Sequence, residues 1–350
     1  MISLDDKEKI KEADKGGMLS NVADLPQMLK EALAICEKVP LKKIKKPELI
    51  VCVGMGGSAI GGEIAKDLLS DQLKIPFFLN RSYILPQAVR AKSLVFAVSY
   101  SGNTEETLAA FMEAEKRKAQ IVCITSGGKL KELAQKAKHT LIEIKPGIQP
   151  RAALPYLLVP ILKTLEKIGV VDQKLDLEDC YPYLLKLAEE YLNADERNNP
   201  AKQLARRLVG KHALIFCSSN STQSLGNRFK CQLNENSKAM AQVLVFSELN
   251  HNDLVALANL KRAEHNYMAV LLKDEEDYVR VRKRMDITKS LIGAELGGFW
   301  EIVSRGKSRL QRVFSLILLC DFTSVYLAIL REIDPTQVDI ISRLKRELLR

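Results

Sequence analysis

The chain predicts an α/β fold made of two doubly wound parallel-sheet subdomains, each a sheet layered between helices (αβα). Three observations point to it. Short apolar runs alternate with helical stretches through residues 49–145. The alternation begins again near residue 213. In each half a strand runs into a turn rich in serine and asparagine, at 99–104 and at 218–222. A chain of 350 residues is also long enough for two cores. We place a first domain at 1–169, a helical connector at 170–199 and a second domain at 200–350.

In the first half the strands fall at 49–53, 77–79, 94–98, 121–125 and 140–144. Their apolar residues are continuous rather than alternating, as in sheets covered on both faces. Helical stretches lie between them, at 60–69 and 130–138. After the 94–98 strand, Leu108, Phe111 and Met112 mark the apolar face of another helix. Asn103 with Glu106 has capping-box spacing, which starts that helix at Asn103. Pro146 and Gly147 break the pattern, and 152–168 reads as an apolar helix interrupted by Pro155 and Pro160. The acidic stretch 170–200 reads as helical and ends in Asn198-Asn199-Pro200, where proline opens a new helix. In the second half we expect strands at 213–217, 243–246 and 267–272. Helices are expected at 226–240, 308–332 and 338–349.

Composition narrows the function. Hydrophobic residues make up 47% and charged residues 27%, as in globular proteins. The longest apolar run, 314–320, is well short of the roughly 20 residues that span a bilayer, so no membrane partner is expected. The N-terminal residues are charged and lack the apolar centre of a signal peptide. Seven cysteines, several within apolar runs (Cys52, Cys123, Cys217, Cys320), read as buried thiols in the reducing cytoplasm. The net charge of +10 is spread among acids rather than clustered with aromatics, so it argues against nucleic acid as a partner. It suits the steering of anionic metabolites. No H-x-x-x-H or C-x-x-C spacing occurs, so neither a metal nor another cofactor is expected.

Two loops carry the chemistry. After the first strand comes Gly54-Met55-Gly56-Gly57-Ser58-Ala59; after the third comes Ser99-Tyr100-Ser101-Gly102-Asn103-Thr104. Hydroxyls and backbone N–H groups at a helix N-terminus hold an anion without a lysine. The first loop also fits the dinucleotide pattern G-x-G-x-x-A. The second strand ends in Leu79-Asn80-Arg81, without the acid that grips an adenine ribose, which disfavours NAD and leaves NADP as the alternative through Arg81. Helix capping alone would also explain serines and threonines here, but four such residues around one glycine exceed what a cap needs.

The second loop resembles the phosphate loop of the sugar isomerase (SIS) superfamily. Further stretches extend the resemblance to one family, the bifunctional phosphoglucose/phosphomannose isomerases. They are Pro150-Arg151-Ala152-Ala153-Leu154-Pro155, Asn234-Glu235-Asn236-Ser237-Lys238 and Glu248-Leu249-Asn250-His251-Asn252-Asp253, with the ending Asp334-Pro335 and Leu344-Lys345. The resemblance spans nearly the whole chain. It implies two SIS-type domains and interconversion of glucose 6-phosphate, and of mannose 6-phosphate, with fructose 6-phosphate. A non-catalytic SIS sugar-phosphate sensor is the alternative from another class.

Aldose–ketose isomerisation needs a base that moves a proton between carbons 1 and 2, a group that opens the ring, and a cation beside the enediolate. Glu235 lies at the family's catalytic glutamate position, and we expect it at a helix start. An ordinary first-turn acid is the plain alternative. An imidazole can both donate and accept a proton at neutral pH, so His251, in a polar cluster after a strand, is the candidate for opening the ring; a loop histidine is its alternative. His139, His212 and His265 flank strands and read as structural. Arg151, at a helix entrance, is the candidate for enediolate charge. The resemblance adds Lys345. Ser99, Ser101 and Thr104 are assigned to phosphate, and Gly57 and Ser58 to the sugar. It also implies a homodimer in which the neighbouring subunit supplies the histidine. The family ties tolerance of both epimers to a small hydroxyl residue shortly before the terminal lysine. Thr336 fills that role here, or Val338 occupies the position and speaks against mannose phosphate.

Overall fold

The computed structural model describes residues 2–41, 44–219, 221–260 and 266–348; Asn220, His265 and Leu349 therefore lie outside the described residues. The chain begins with α1 (Lys7–Ala13), α2 (Met18–Ala23) and α3 (Leu25–Lys38). Then come β1 (Leu49–Val53), α4 (Gly57–Leu68), β2 (Phe77–Asn80), β3 (Ser93–Val98), α5 (Glu105–Lys116), β4 (Gln120–Thr125), α6 (Gly128–Lys136), β5 (Thr140–Glu143) and α7 (Leu154–Lys167). After α8 (Cys180–Asn193) and α9 (Pro200–Leu208) the second alternation runs β6 (His212–Ser218), α10 (Gln223–Glu235), β7 (Ala241–Phe246), α11 (Asp253–Leu257), β8 (Tyr267–Lys273), α12 (Val279–Ile292) and β9 (Phe299–Val303). Two helices close the chain, α13 (Arg309–Leu330) and α14 (Asp339–Glu347).

The chain divides into two compact units, Asp24–Leu185 and a second that joins the described residues of 1–23 to those of 186–350. In the first, five parallel strands follow the order β2-β1-β3-β4-β5, with Val51 opposite Phe78 and Val95. Val51, Val95, Ala97 and Cys123 turn one sheet face onto Ala110 and Phe111 of α5 and Leu130 of α6. Phe111 is fully buried there, and truncation to alanine would cost about 3–5 kcal/mol. The opposite face packs on α4 and α7. Bare glycines allow that approach: a Cβ at Gly62 would lie 2.4 Å from Cys52 Sγ, and one at Gly61 would lie 2.9 Å from the Leu157 backbone. Pro155 sits in the first turn of α7, where its missing N–H is no loss. Pro160 lies inside a helix that nonetheless continues, held by burial along nearly its whole length.

The second unit has four parallel strands in the order β7-β6-β8-β9. Leu214, Phe216, Ala269 and Leu271 face Val281, Met285 and Ile292 of α12. α9, α10 and α13 pack together in the same unit. α13 corrects the sequence reading of apolar length: it is 22 residues long, long and apolar enough to cross a membrane, and its most apolar stretch, of mean hydropathy 2.2, is wholly buried. Asp321 does not interrupt it, because Arg228 of α10 meets the carboxylate from Nε at 3.1 Å and from Nη2 at 2.5 Å inside the core.

Residues 1–23, placed by the sequence reading in the first domain, gather with the second sheet. The Asp14 carboxylate accepts the N–H groups of Met18 and Leu19 at 2.8 and 2.7 Å, and α2 lies against α13. Asp5 accepts the Lys202 ammonium at 3.0 Å. Short helices without a strand partner carry no local signal of which core they join. β9 and α12 were not foreseen either: β9 is only five residues behind Gly297 and Gly298, and α12 is crowded with charge.

Candidate functional site

In the first unit the chain leaves β1 for β2 on one side and returns through β3 on the other, so the loops after β1 and β3 flank a topological switch point, where open α/β sheets bind ligands. The β3 loop is tightly built. Ser99, fully buried, accepts the Gly102 N–H at 3.1 Å, and its Oγ lies 2.9 Å from Thr104 Oγ1. Gly102 adopts φ +71, and a Cβ there would fall 1.8 Å from the Gly127 carbonyl oxygen. Only glycine fits both demands. Ser101 is exposed, and its Oγ accepts the Asn103 N–H at 3.3 Å.

The helix start differs from the expected capping box. α5 begins at Glu105, with Thr104 at the cap position but its side chain making no capping bond to the helix. Asn103 instead turns its Oδ1 to the Lys129 N–H at 3.0 Å, tying this loop to the one after β4. The first-turn N–H groups of α5 thus have no side-chain cap from Thr104 among the described residues, an arrangement that can receive an anion.

Tyr100 is the residue the sequence reading overlooked. Its N–H donates to Ser58 Oγ at 3.1 Å, and its carbonyl accepts Ser126 Oγ–H at 2.6 Å. Its hydroxyl donates to the Lys145 carbonyl at 2.9 Å and accepts the Ile148 N–H at 3.0 Å. One buried residue, through its backbone and its hydroxyl together, therefore joins four loops at the carboxyl end of the sheet. Only its place between two serines could have signalled this. Lys145 in turn pairs with Glu31 at 3.1 Å, and the Tyr156 hydroxyl foremost holds that carboxyl below its ordinary range.

Gly57 lies under the next segment: a Cβ there would sit 2.9 Å from the Pro150 carbonyl carbon and 3.1 Å from the Arg151 nitrogen. Arg151 is buried, with Nη1 donating to Gln149 Oε1 at 3.4 Å. The structure thus gathers Gly57, Ser58, Ser99, Ser101, Thr104 and Arg151 about one switch point. Arg81, the residue that kept NADP open, forms an ion pair with Glu63 of α4.

Glu235 does not open a helix: it is the last residue of α10, a correction to the expectation. α10 starts after Thr222 because Leu225, Phe229 and Leu233 supply its buried face from there. It stops where Lys238 adopts φ +50. The segment after it is fixed by buried polar bonds. Asn236 Nδ2 donates to Ser324 Oγ at 2.9 Å, and Ser237 Oγ donates to the Ser324 carbonyl at 2.6 Å. Lys238 Nζ donates to the carbonyls of Glu235 and Asp334 at 3.0 and 2.9 Å, placing a cation where the helix dipole favours one.

His251 follows a 3-10 turn, Glu248–Asn250, beyond the carboxyl end of β7. Its ring is exposed and, among the described residues, has no hydrogen-bond partner. Glu235 lies before β7 and His251 after it, so a strand of six residues, roughly 17 Å of rise, separates them. Within one chain these two side chains do not meet. Lys345 stands on α14, exposed along its length. Thr336 donates its N–H to Asp334 Oδ1 at 2.8 Å and packs on Gly16, where a Cβ would lie 2.1 Å from Thr336 Oγ1.

The second hydroxyl-rich turn has a different fate. It flanks the switch point of the second sheet, between β6 and β8, where the loop after β8 brings the Asp277 carboxyl to the hydroxyls of Ser218 and Ser221. The Asp274 N–H donates to Asp277 Oδ2 at 2.8 Å. Burial pushes this carboxyl above its ordinary value, and those hydrogen bonds offset the rise only in part. The anion position of this sheet is filled by the chain itself.

Comparison with known proteins follows the same division. Residues 43–165 match the SIS domain, and residues 197–348 match the bacterial phospho-glucose isomerase C-terminal SIS domain. A bifunctional phosphoglucose/phosphomannose isomerase of Caldicellulosiruptor bescii is 43% identical over 334 residues, covering 95% of this chain and 98% of the relative. A D-glucosamine-6-phosphate 4-epimerase of Sulfolobus acidocaldarius is 32% identical over 314 residues, covering 89% and 92%. Among solved structures, a hypothetical protein of Thermus thermophilus shares the fold with a TM-score of 0.74 at 19% identity, over 98% of this chain and 94% of that one.

Proposed function

The chain belongs to the bifunctional phosphoglucose/phosphomannose isomerase family, and from that premise we propose that it interconverts glucose 6-phosphate, and mannose 6-phosphate, with fructose 6-phosphate through a cis-enediol. The observation that carries this reading is the 43% identity across nearly the whole length of both chains. The switch-point loop supports the substrate class, since its uncapped helix start and the exposed Ser101 suit a phosphate. Neither a bare sensor nor an NADP enzyme gains support, because Arg81 is already paired.

In the proposed mechanism, phosphate docks at Ser101, Thr104 and the first turn of α5, with Ser99 shaping the loop. Gly57 and Ser58 line the sugar. His251 hands protons between the ring oxygen and the anomeric hydroxyl to open the ring. Glu235 removes the proton from carbon 2 and returns it to carbon 1, the hydroxyl proton passes from O2 to O1, and Arg151 offsets the enediolate charge. Lys345 is assigned to the sugar hydroxyls and Thr336 to epimer tolerance.

We propose a homodimer in which each His251 serves the other chain's Glu235. The separation of the two residues along β7 supports it, as does the exposed apolar face of α14, with Ile340, Leu344 and Leu348 uncovered. The cytoplasm is the proposed location: all seven cysteines are free thiols, and burial pushes Cys36, Cys52 and Cys180 up to about 12.

A coupled assay on both aldose phosphates tests the reaction, and Glu235→Gln tests the base. The variant is expected to lose roughly 10²–10⁴ in turnover and to keep sugar-phosphate binding. Near-normal turnover would remove Glu235 from the role, and a wild-type chain inert on both substrates would overturn the whole reading.

A further inference from the structure

A cavity of 310 Å³ opens at the amino ends of β8 and β9 in the second unit, and its lining includes Arg207, Lys211, Tyr267, Glu295, Gly298 and Trp300. None of these is a candidate site residue. The volume is at the lower end for small-molecule sites. A second concavity of 590 Å³ shares Arg207 and Trp300 with it. Arg207 lies over the Trp300 ring, 5.0 Å from its centroid, so this stacked pair forms the wall between the two.

Three features of the lining stand out. Among the described residues, neither Arg207 nor Lys211 has an acidic group within 4.0 Å, so neither cation of this hollow is held in an ion pair. Trp300, the one tryptophan in the sequence, stands half-buried at the start of an edge strand rather than in a core. Glu295 Oε2 is buried and has no hydrogen-bond partner. A buried acceptor left unmatched is unfavourable, and such groups in native proteins call for a donor. Gly298 adopts φ +96 with open space where a side chain would project, which keeps the mouth of the hollow clear.

A ligand that satisfies all three must carry negative charge, present a flat ring and offer an N–H donor. We propose that this cavity binds a nucleoside phosphate whose base bears an exocyclic amine, an adenine nucleotide being the simplest. The phosphate meets Arg207 and Lys211, the base stacks against the ring of Trp300, and the amine donates to Glu295. A hexose phosphate has the charge but neither the ring face nor the amine. This site is therefore distinct in chemistry from the sugar-phosphate site.

Trp300 supplies its own reporter. Titrating AMP into the full-length protein with fructose 6-phosphate present should quench the single-tryptophan fluorescence. IMP, which has a carbonyl in place of the amine, should bind roughly tenfold more weakly, the size of one lost hydrogen bond to a charged group. Arg207→Ala should weaken AMP by a similar factor and leave isomerase turnover unchanged. Glu295→Gln should narrow the gap between AMP and IMP. Calorimetry with Trp300→Phe checks that weak quenching is not mistaken for weak binding. The proposal is overturned by any of three results: no saturable AMP binding up to about 5 mM, inorganic phosphate binding as well as AMP, or displacement of AMP by fructose 6-phosphate, which would put the nucleotide in the sugar-phosphate site.

Discussion

Ser99 Oγ and Thr104 Oγ1 lie 2.9 Å apart, so the first and last hydroxyls of the switch-point loop close on each other. The loop is shaped before any ligand arrives. What remains for an anion is the exposed Ser101 hydroxyl, the half-buried Thr104 and the uncapped start of α5. Ser99→Ala should therefore act on stability, by about 1 kcal/mol, and Ser101→Ala on KM with little change in melting temperature. Thermal melts and steady-state kinetics on the two variants separate these effects.

Gly102 and Gly56 offer a contrast in what a methyl group does. Both have positive φ, at +71 and +49, but the added Cβ meets the Gly127 carbonyl at 1.8 Å in one case and nothing within 4 Å in the other. Gly56→Ala, at φ +49 and ψ −123, should cost about 1–3 kcal/mol of backbone strain. Gly102→Ala should cost clearly more and raise KM, because the loops after β3 and β4 must part. Equal urea midpoints for the two variants would contradict this account.

Asp277 gives a pH dependence of defined sign. Burial raises its carboxyl above the ordinary value, so the folded chain holds a proton there that the unfolded chain has already lost. This contribution makes stability fall as pH rises from the ordinary carboxyl range through the raised one. Asp277→Asn does not titrate. The variant should gain on the wild type above that window and lose the advantage below it. Urea unfolding at a series of pH values reads the difference directly.

The proposed division of labour between subunits predicts complementation. Glu235→Gln and His251→Ala chains should each be inactive alone. Refolded together in equal amounts, they should recover about a quarter of wild-type activity, since a two-fold dimer of mixed chains keeps one intact site. No recovery despite proven mixed dimers would place both residues in one chain's site.

Much was legible in the sequence because it is written in neighbouring residues. Apolar runs such as 49–53 and 94–98 are strands wherever they pack, and the turn chemistry of Ser99 to Thr104 is local. So is Asn199, which caps α9 by accepting the N–H groups of Ala201 and Lys202 at 3.1 and 3.2 Å. Tertiary structure alone decided the rest. It assigned residues 1–23 to the second core, set Glu235 at the end of its helix, made Tyr100 a four-loop junction, and filled one of two similar hydroxyl turns with Asp277. Each depends on groups far apart in the chain, whose meeting follows from packing and charge burial rather than from any periodic pattern.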